Sequence, residues 1–238
     1  LSKSSALEHP LLGRAGENGE GLPKKTLLVV LTSDRGLCGA FNSSIIRYAR
    51  QYYQREKDNS QIDFLFIGRR GADFFKKFGV TTVDTIQNLA NDVGYNLAAE
   101  LSEKLLQYYL QGDYTEIRLV YNEFKSAISQ KVTDEVLVPI RAGESSESEG
   151  EAMDFIFEPK AEMILDQLLT KHFTVQVYRA LQESVASEHG ARMSAMENAT
   201  RNAGEMIKAM TLNYNKIRQA AITTELIEIT SGAEALNG

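Results

Sequence analysis

Few residues in this sequence have types and spacing that could do chemistry, and the first of them is the turn Gly36-Leu37-Cys38-Gly39. It follows an apolar run and precedes a helical pattern, where main-chain amides at a helix start attract phosphate. A phosphate loop needs Gly-Lys followed by Ser or Thr, so that an ammonium and a hydroxyl reach phosphate and magnesium. Here Gly39 is followed by Ala40 and Phe41. The dinucleotide fingerprint fails as well, because there is no Gly-x-Gly and no acidic partner for a ribose. A structural turn or a partner contact is the expectation.

The other reactive groups are sparse. Cys38 is the single cysteine, so an internal disulfide and a cysteine-based zinc cluster are excluded, and it is expected half-buried in its turn rather than as an activated thiol. His9, His172 and His189 are scattered, with no pair at ligand spacing beside a carboxylate. No serine or cysteine stands in the context of an activated nucleophile. Catalytic, cofactor and metal residues are therefore expected to be none. Arg69-Arg70 and Lys76-Lys77 read as solvated faces, with docking to an acidic partner as the lesser alternative.

The elements that carry these residues are those of an ordinary globular chain with an appendage. With 238 residues, 43% hydrophobic and 24% charged, it is neither disordered nor fibrous. The net charge of -6 and the pI near 5.3 disfavour nonspecific binding to nucleic acid or anionic lipid. Apolar runs such as Leu27 to Leu31 are too short to cross a bilayer, and no signal peptide is visible.

Taken in order, Leu1 to Leu12 reads as the end of a helix closed at His9-Pro10. Gly13 to Gly21, with four glycines among nine residues, reads as a linker. Thr26 to Thr32 is predicted as a buried strand, and Phe41, Ile45, Tyr48 and Tyr52 mark one face of the next helix. A strand over Ile62 to Ile67, a short helix over Arg70 to Phe78 stopped by Gly79, and a strand over Val80 to Val83 follow. Asp92 is the expected cap of a helix to Gln111 that buries Val93, Leu97, Leu101, Leu105 and Tyr108. Strands are expected over Glu116 to Tyr121 and Val132 to Ile140, then an acidic loop over Arg141 to Ala152 and a short strand over Asp154 to Phe157. The alternation argues for a mainly parallel α/β sheet.

From Pro159 to Leu236 the sequence reads as one long helix, about 110 Å if unbroken. Met193, Met196, Thr200, Ala203, Ile207, Met210, Tyr214, Ile217, Ala221 and Thr224 recur at alternating steps of three and four, a coiled-coil seam. Ile222, Leu226, Ile229, Ala233 and Leu236 keep the step but are offset by one residue, so the tip faces something different. Gly190 and Gly204 each weaken a helix interior by about 1 kcal/mol relative to Ala. At Gly204, where the seam keeps its phase, close approach of a partner is expected; for Gly190 no reading is preferred. Toward the tip, Lys208, Lys216 and Arg218 give way to Glu225, Glu228 and Glu234. A solvated helix can show this pattern, and so can a tip that makes directional ion pairs inside a protein sleeve.

Several motifs resemble one family. Ile222-Thr223-x-Glu225-x-x-Glu228-x-x-x-Gly232-Ala233-x-Ala235 is similar to the C-terminal signature of the gamma subunit of the F-type ATP synthase, as is Tyr214-Asn215-Lys216-x-Arg218-Gln219-Ala220. Ser187-Glu188-His189-x-Ala191-Arg192-Met193-x-Ala195-Met196 and Thr32 to Asn42 also resemble it, so the similarity runs from about His9 to the end. The resemblance implies a rotor shaft: a Rossmann-like α/β domain over 26–158, after an end of helix and linker over 1–25, and a coiled-coil helix over 159–238. In that family a long N-terminal helix pairs antiparallel with the C-terminal one; here the pairing helix is expected to be missing or separate.

What the resemblance implies for the residues is contact between the tip and a ring of alpha and beta subunits. Arg218, Gln219, Thr223 and Glu225 would meet loops of the beta subunits, with Ile222, Leu226 and Ile229 against apolar walls. The seam is assigned to Met193, Met196, Ala203, Ile207, Met210, Tyr214, Ile217 and Ala221. Implied partners are the alpha, beta and epsilon subunits and the membrane rotor ring, with no nucleic acid and no cofactor. The implied work is mechanical coupling of ion flow to ATP synthesis or hydrolysis, without bond chemistry of its own, on the inner face of an energy-transducing membrane, the bacterial plasma membrane ahead of the mitochondrial inner membrane. The competing reading is a coiled-coil scaffold with an α/β docking domain, and a third is a small nucleotide-dependent enzyme.

Overall fold

The computed structural model describes residues 9–13, 24–87, 93–140 and 161–237. Strand β1 (Lys24–Leu31) is buried from Thr26 onward. An unbroken apolar run of this kind is stable only when both faces of the strand are covered. Its alternate residues divide accordingly: Leu27, Val29 and Leu31 enter one core cluster, Leu28 and Val30 the other. Strand β2 (Ser60–Ile67) divides in the same way, with Leu65 and Ile67 on the first side and Ile62, Phe64 and Phe66 on the second.

The sheet has five strands in the order β3-β2-β1-β4-β5. Strand β1 pairs parallel with β2 and with β4 (Glu116–Ser126), and β2 pairs parallel with β3 (Thr82–Ile86). Strand β5 (Ser129–Val138) returns antiparallel along β4. The sheet is therefore mixed and mostly parallel, as the alternation of strands and helices predicts.

Helices α1 (Phe41–Glu56) and α2 (Arg69–Phe75) cover one face of the sheet through Phe41, Ile45, Ala49, Tyr52 and Phe75. Helix α3 (Tyr95–Leu110) and the first part of α4 (Ala161–Asn237) cover the other through Leu101, Leu105, Phe173, Val177 and Leu181. Each of the Val, Leu, Ile and Phe side chains among them contributes about 1.5–3 kcal/mol when fully buried. After α2 a single 3-10 turn (Lys76–Phe78) stops at Gly79 in the left-handed conformation.

Some boundaries differ from the sequence reading. Strand β3 starts at Thr82 rather than Val80, because it pairs with β2 only from Phe64 onward. Helix α3 starts at Tyr95 behind Gly94, and its buried face turns by one residue, so Ala98, Ser102 and Tyr109 join Leu101 and Leu105 while Leu97 and Tyr108 are half-buried. Strand β4 runs on to Ser126, because β5 begins at Ser129 and the two form a hairpin around Ala127-Ile128. Pro10 to Leu12 forms a 3-10 turn in which the Leu11 amide donates to His9 Nδ1 at 3.1 Å, with Leu11 buried. Asp92, the linker after Gly13, the acidic loop, the strand at Asp154 to Phe157 and the start at Pro159 lie outside the described residues.

Close contacts divide the chain into two units, Leu1–Met193 and Ser194–Gly238, and the division falls within α4.

Candidate functional site

In the first unit, α4 presents one stripe to the sheet. Phe173, Val177, Ala180, Leu181, Ser184, Ser187, Glu188 and Ala191 are buried, a series at steps of three and four. Polar groups on and beside this stripe bond to the β4–β5 hairpin. Ser187 Oγ donates to the Asn122 carbonyl at 2.9 Å, and both residues are buried. Arg179 Nη2 donates to Tyr121 Oη at 3.2 Å and to Glu135 Oε2 at 2.9 Å. Burial, and secondarily the charge of Glu135, pushes the Tyr121 phenol up to about 12. Burial also raises Glu183, whose Oε1 stands 3.8 Å from Arg179 Nε.

At Gly190 the helix and the hairpin approach each other closely. A Cβ placed there would stand 3.1 Å from both Cα and O of Ala127 and 3.3 Å from Cε2 of Phe124. Gly204, by contrast, meets nothing within 4 Å. The close approach found within this chain is thus at Gly190; the approach expected at Gly204 concerns a partner.

In the second unit, the residues singled out from the sequence all lie on one continuous helix, and they are exposed. Of the seam positions, Ile207, Met210, Tyr214 and Ile217 keep 61–64% of their surface open. Met196, Ala203 and Ala221 are exposed too, and Met193, the last residue of the first unit, is 59% open. Of the tip positions, Ile222, Leu226 and Ile229 are 47%, 58% and 68% open. Arg218, Gln219, Thr223 and Glu225 are likewise exposed, and Thr223 Oγ1 donates back to the Gln219 carbonyl at 2.9 Å. Most side chains on the helix from 196 to 236 are exposed, around its whole circumference.

The turn after β1 is closed by its own side chains. Asn42 Oδ1 accepts from the Ser33 amide at 2.9 Å, and Asn42 Nδ2 donates to Cys38 Sγ at 3.1 Å. Cys38 is 2% exposed, more deeply set than the half-buried position expected of it, because it packs with Phe41 and Ile45 under α1. The Arg70 guanidinium lies over Gly36, within 2.9 Å of where a Cβ would stand. Leu37 takes φ +64° and is 77% exposed.

A doubly wound sheet binds ligands outside the carboxyl ends of its strands, at the point where the strand order reverses, which here lies between β1 and β4; beside that point is a crevice at the ends of β1 and β2. Here Leu181, Ser184, Val185 and Glu188 of α4 close over it and leave about 30 Å³ beside Thr32 and Gly68. A nucleotide needs a pocket of at least about 300 Å³. A second cleft of about 180 Å³ lies between Glu135, Pro139, His172 and Gln176. Among the described residues no group of three or more His, Cys, Asp or Glu could hold a metal, and no helix is long and apolar enough to cross a membrane.

Sequence reasoning assigned contacts to the second half of α4 and, in the first half, left Gly190 without a preferred reading. The signal that was available is Gly190: a glycine inside a helix asks for a compensating close contact. Arg179, Ser187 and Asn122 carry no such signal, since their partners are 44 and 65 residues away along the chain.

Comparison with known proteins agrees with this architecture. A family model described as ATP synthase matches residues 1–236. The chain is 53% identical to the ATP synthase gamma chain of Bdellovibrio bacteriovorus, covering all of this chain and 81% of that protein. To the gamma chain of Geobacter metallireducens it is 45% identical, covering 91% of this chain and 75% of the relative. Among solved structures, it superposes with a TM-score of 0.61 and 31% identity on a chain of the Tetrahymena thermophila mitochondrial ATP synthase central stalk and c-ring, covering 76% of this chain and 79% of that one. The fold alone is also shared with a chain of the Euglena gracilis mitochondrial ATP synthase, at a TM-score of 0.65 and 24% identity over 90% of this chain and 73% of the other. A mostly parallel sheet clasped by the first half of a 77-residue helix whose second half stands open, together with relatives of this similarity, identifies the chain as a member of the gamma-subunit family of the F-type ATP synthase.

Proposed function

We propose that this chain is the central-stalk rotor subunit of a bacterial ATP synthase and does no bond chemistry itself. The α/β domain is its base and the second half of α4 its axle. The observation that carries the reading is the open apolar surface of α4, where large side chains from Met196 to Leu236 stay 46–88% exposed. A free helix with this much uncovered Met, Ile and Leu would aggregate, so it needs partners on more than one side. In this reading an antiparallel helix covers the seam at Met193, Met196, Ala203, Ile207, Met210, Tyr214, Ile217 and Ala221. The tip residues Arg218, Gln219, Ile222, Thr223, Glu225, Leu226 and Ile229 meet the inner wall of a ring of alpha and beta subunits.

An axle that differs from side to side makes different contacts with three chemically identical beta subunits. Each contact set biases nucleotide affinity by its own free energy, and rotation moves those biases around the ring. The base binds the epsilon subunit and the membrane rotor ring, which keeps the chain at the inner face of the plasma membrane through the complex. The sequences of bacterial relatives support that location.

The test is ATPase turnover of purified alpha and beta subunits mixed with this chain, with and without the antiparallel helix as a peptide. Stable assembly and multi-site turnover are expected with the helix present, and a fall when Arg218 and Gln219 are both changed to Ala. Failure of both mixtures to bind the ring would sink the reading.

A further inference from the structure

We infer that Ser187 and Gly190 are positioning residues that fix the roll of α4 about its own axis against the β4–β5 hairpin, so that the base and the axle turn together without slip. This deepens the rotor reading and rests on it.

A helix held only by an apolar stripe can rock about its axis, because dispersion contacts are weak individually and not directional. Hydrogen bonds and backbone contacts are directional. Ser187 Oγ reaches the Asn122 carbonyl at 2.9 Å with both residues almost fully enclosed, so water cannot replace the bond if the helix turns. Asn122 Nδ2 in turn donates to the Phe41 carbonyl at 3.1 Å, which ties the same point of β4 to the start of α1. One residue thus links α4, the sheet and the helix on its opposite face.

Gly190 adds a steric stop. The hairpin turn sits 3.1 Å from the place of its missing Cβ, and the obstructing atoms are the Cα and O of Ala127, which cannot swing aside as a side-chain end would. Gly204 and Gly232 on the same helix meet nothing within 4 Å, so close backbone approach is particular to this position. The Arg179 bonds to Glu135 and Tyr121 lie about 16 Å further toward the helix start than Gly190 and, at 100° per residue, within about 20° of its direction. Rolling α4 would have to break contacts at both places together.

The experiment uses the assembled complex with the full chain carrying Gly190→Leu or Ser187→Ala. Two quantities are read: the angular variance of a probe on the base while the axle is stalled in the ring, and ATP made per ion-driven turn. With Gly190→Leu, overpacking should widen the variance at least about two-fold and lower the yield about three-fold, while ATP hydrolysis by the ring stays within about two-fold. Ser187→Ala, which removes one hydroxyl and leaves the shape, should widen the variance by a smaller factor of about 1.5. If Gly190→Leu fails to assemble, Ser187→Ala decides. Unchanged variance and yield in the variants that assemble would overturn the inference while leaving the rotor reading intact. If the unaltered chain does not turn within the ring, the rotor reading itself falls and the inference with it.

Discussion

Arg179 on α4 and Glu135 on the edge strand β5 are joined Nη2 to Oε2 at 2.9 Å, across 44 residues of sequence. With side chains 48% and 31% open, the pair is worth about 0.5–1 kcal/mol. A double-mutant cycle of Arg179→Ala and Glu135→Gln, read by urea unfolding, should return a coupling of about that size. A coupling of zero would mean that this ion pair adds nothing to the packing of Phe173, Val177 and Leu181 and to the Ser187 bond that hold the helix to the sheet.

Alkali should loosen the domain through its buried tyrosines, over the same pH range in which lysines deprotonate. Burial pushes both Tyr52 and Tyr121 up to about 12 from an ordinary 10.0. A phenol raised in the folded state keeps its proton where the unfolded chain has lost it. Stability is therefore full below pH 10 and falls as pH rises toward 12. Unfolding free energy measured across that window should decline, and the slope should flatten in Tyr52→Phe and Tyr121→Phe.

Acid should act through a different pair. The hydrogen bond from Lys104 holds the Asp84 carboxyl below its ordinary 3.8, so its contribution is fully present above that pH and is lost as pH falls from there through the lowered folded value. Both side chains are more than a third exposed or close to it, and the loss should stay within about 1 kcal/mol. Asp84→Asn should remove that part of the acid dependence, seen as a smaller change of melting temperature between pH 6 and pH 3.

Gly68 is the position in the base least able to change. It has φ +90°, and a Cβ would fall 2.0 Å from the Thr32 carbonyl oxygen, an overlap no rotamer relieves. Gly68→Ala should destabilise by at least about 3 kcal/mol or abolish folding, where the exposed Gly79, also at positive φ but with nothing near it, should lose only about 1 kcal/mol on the same change. Thermal unfolding of the two variants side by side tests the contrast.

Much of this molecule is legible in its sequence because it follows from local periodicity. The run from Thr26 to Leu31 is apolar at every position, which dictates a strand covered on both faces. The three-four spacing from Met193 onward requires a helix, and a helix is what forms. The motifs around Thr223 and Glu225 are local too, so the family they resemble could be named before any fold was known.

Tertiary structure alone decided what depends on which distant segments meet. Strand order is one such matter: nothing local says that β4 inserts beside β1 or that β5 turns back at Ala127. The division of α4 is another. Its stripe at Phe173, Val177 and Leu181 and its seam at Ile207, Met210 and Tyr214 look alike as patterns, yet the sheet covers the first and leaves the second open. Periodicity records that a face must be buried, and only the assembled fold determines whether this chain buries it. Gly190 marks the boundary between the two kinds of knowledge. A glycine inside a helix leaves a close contact and a kink equally open, and that it is a contact, with the backbone of Ala127, is decided only once the hairpin has folded against the helix.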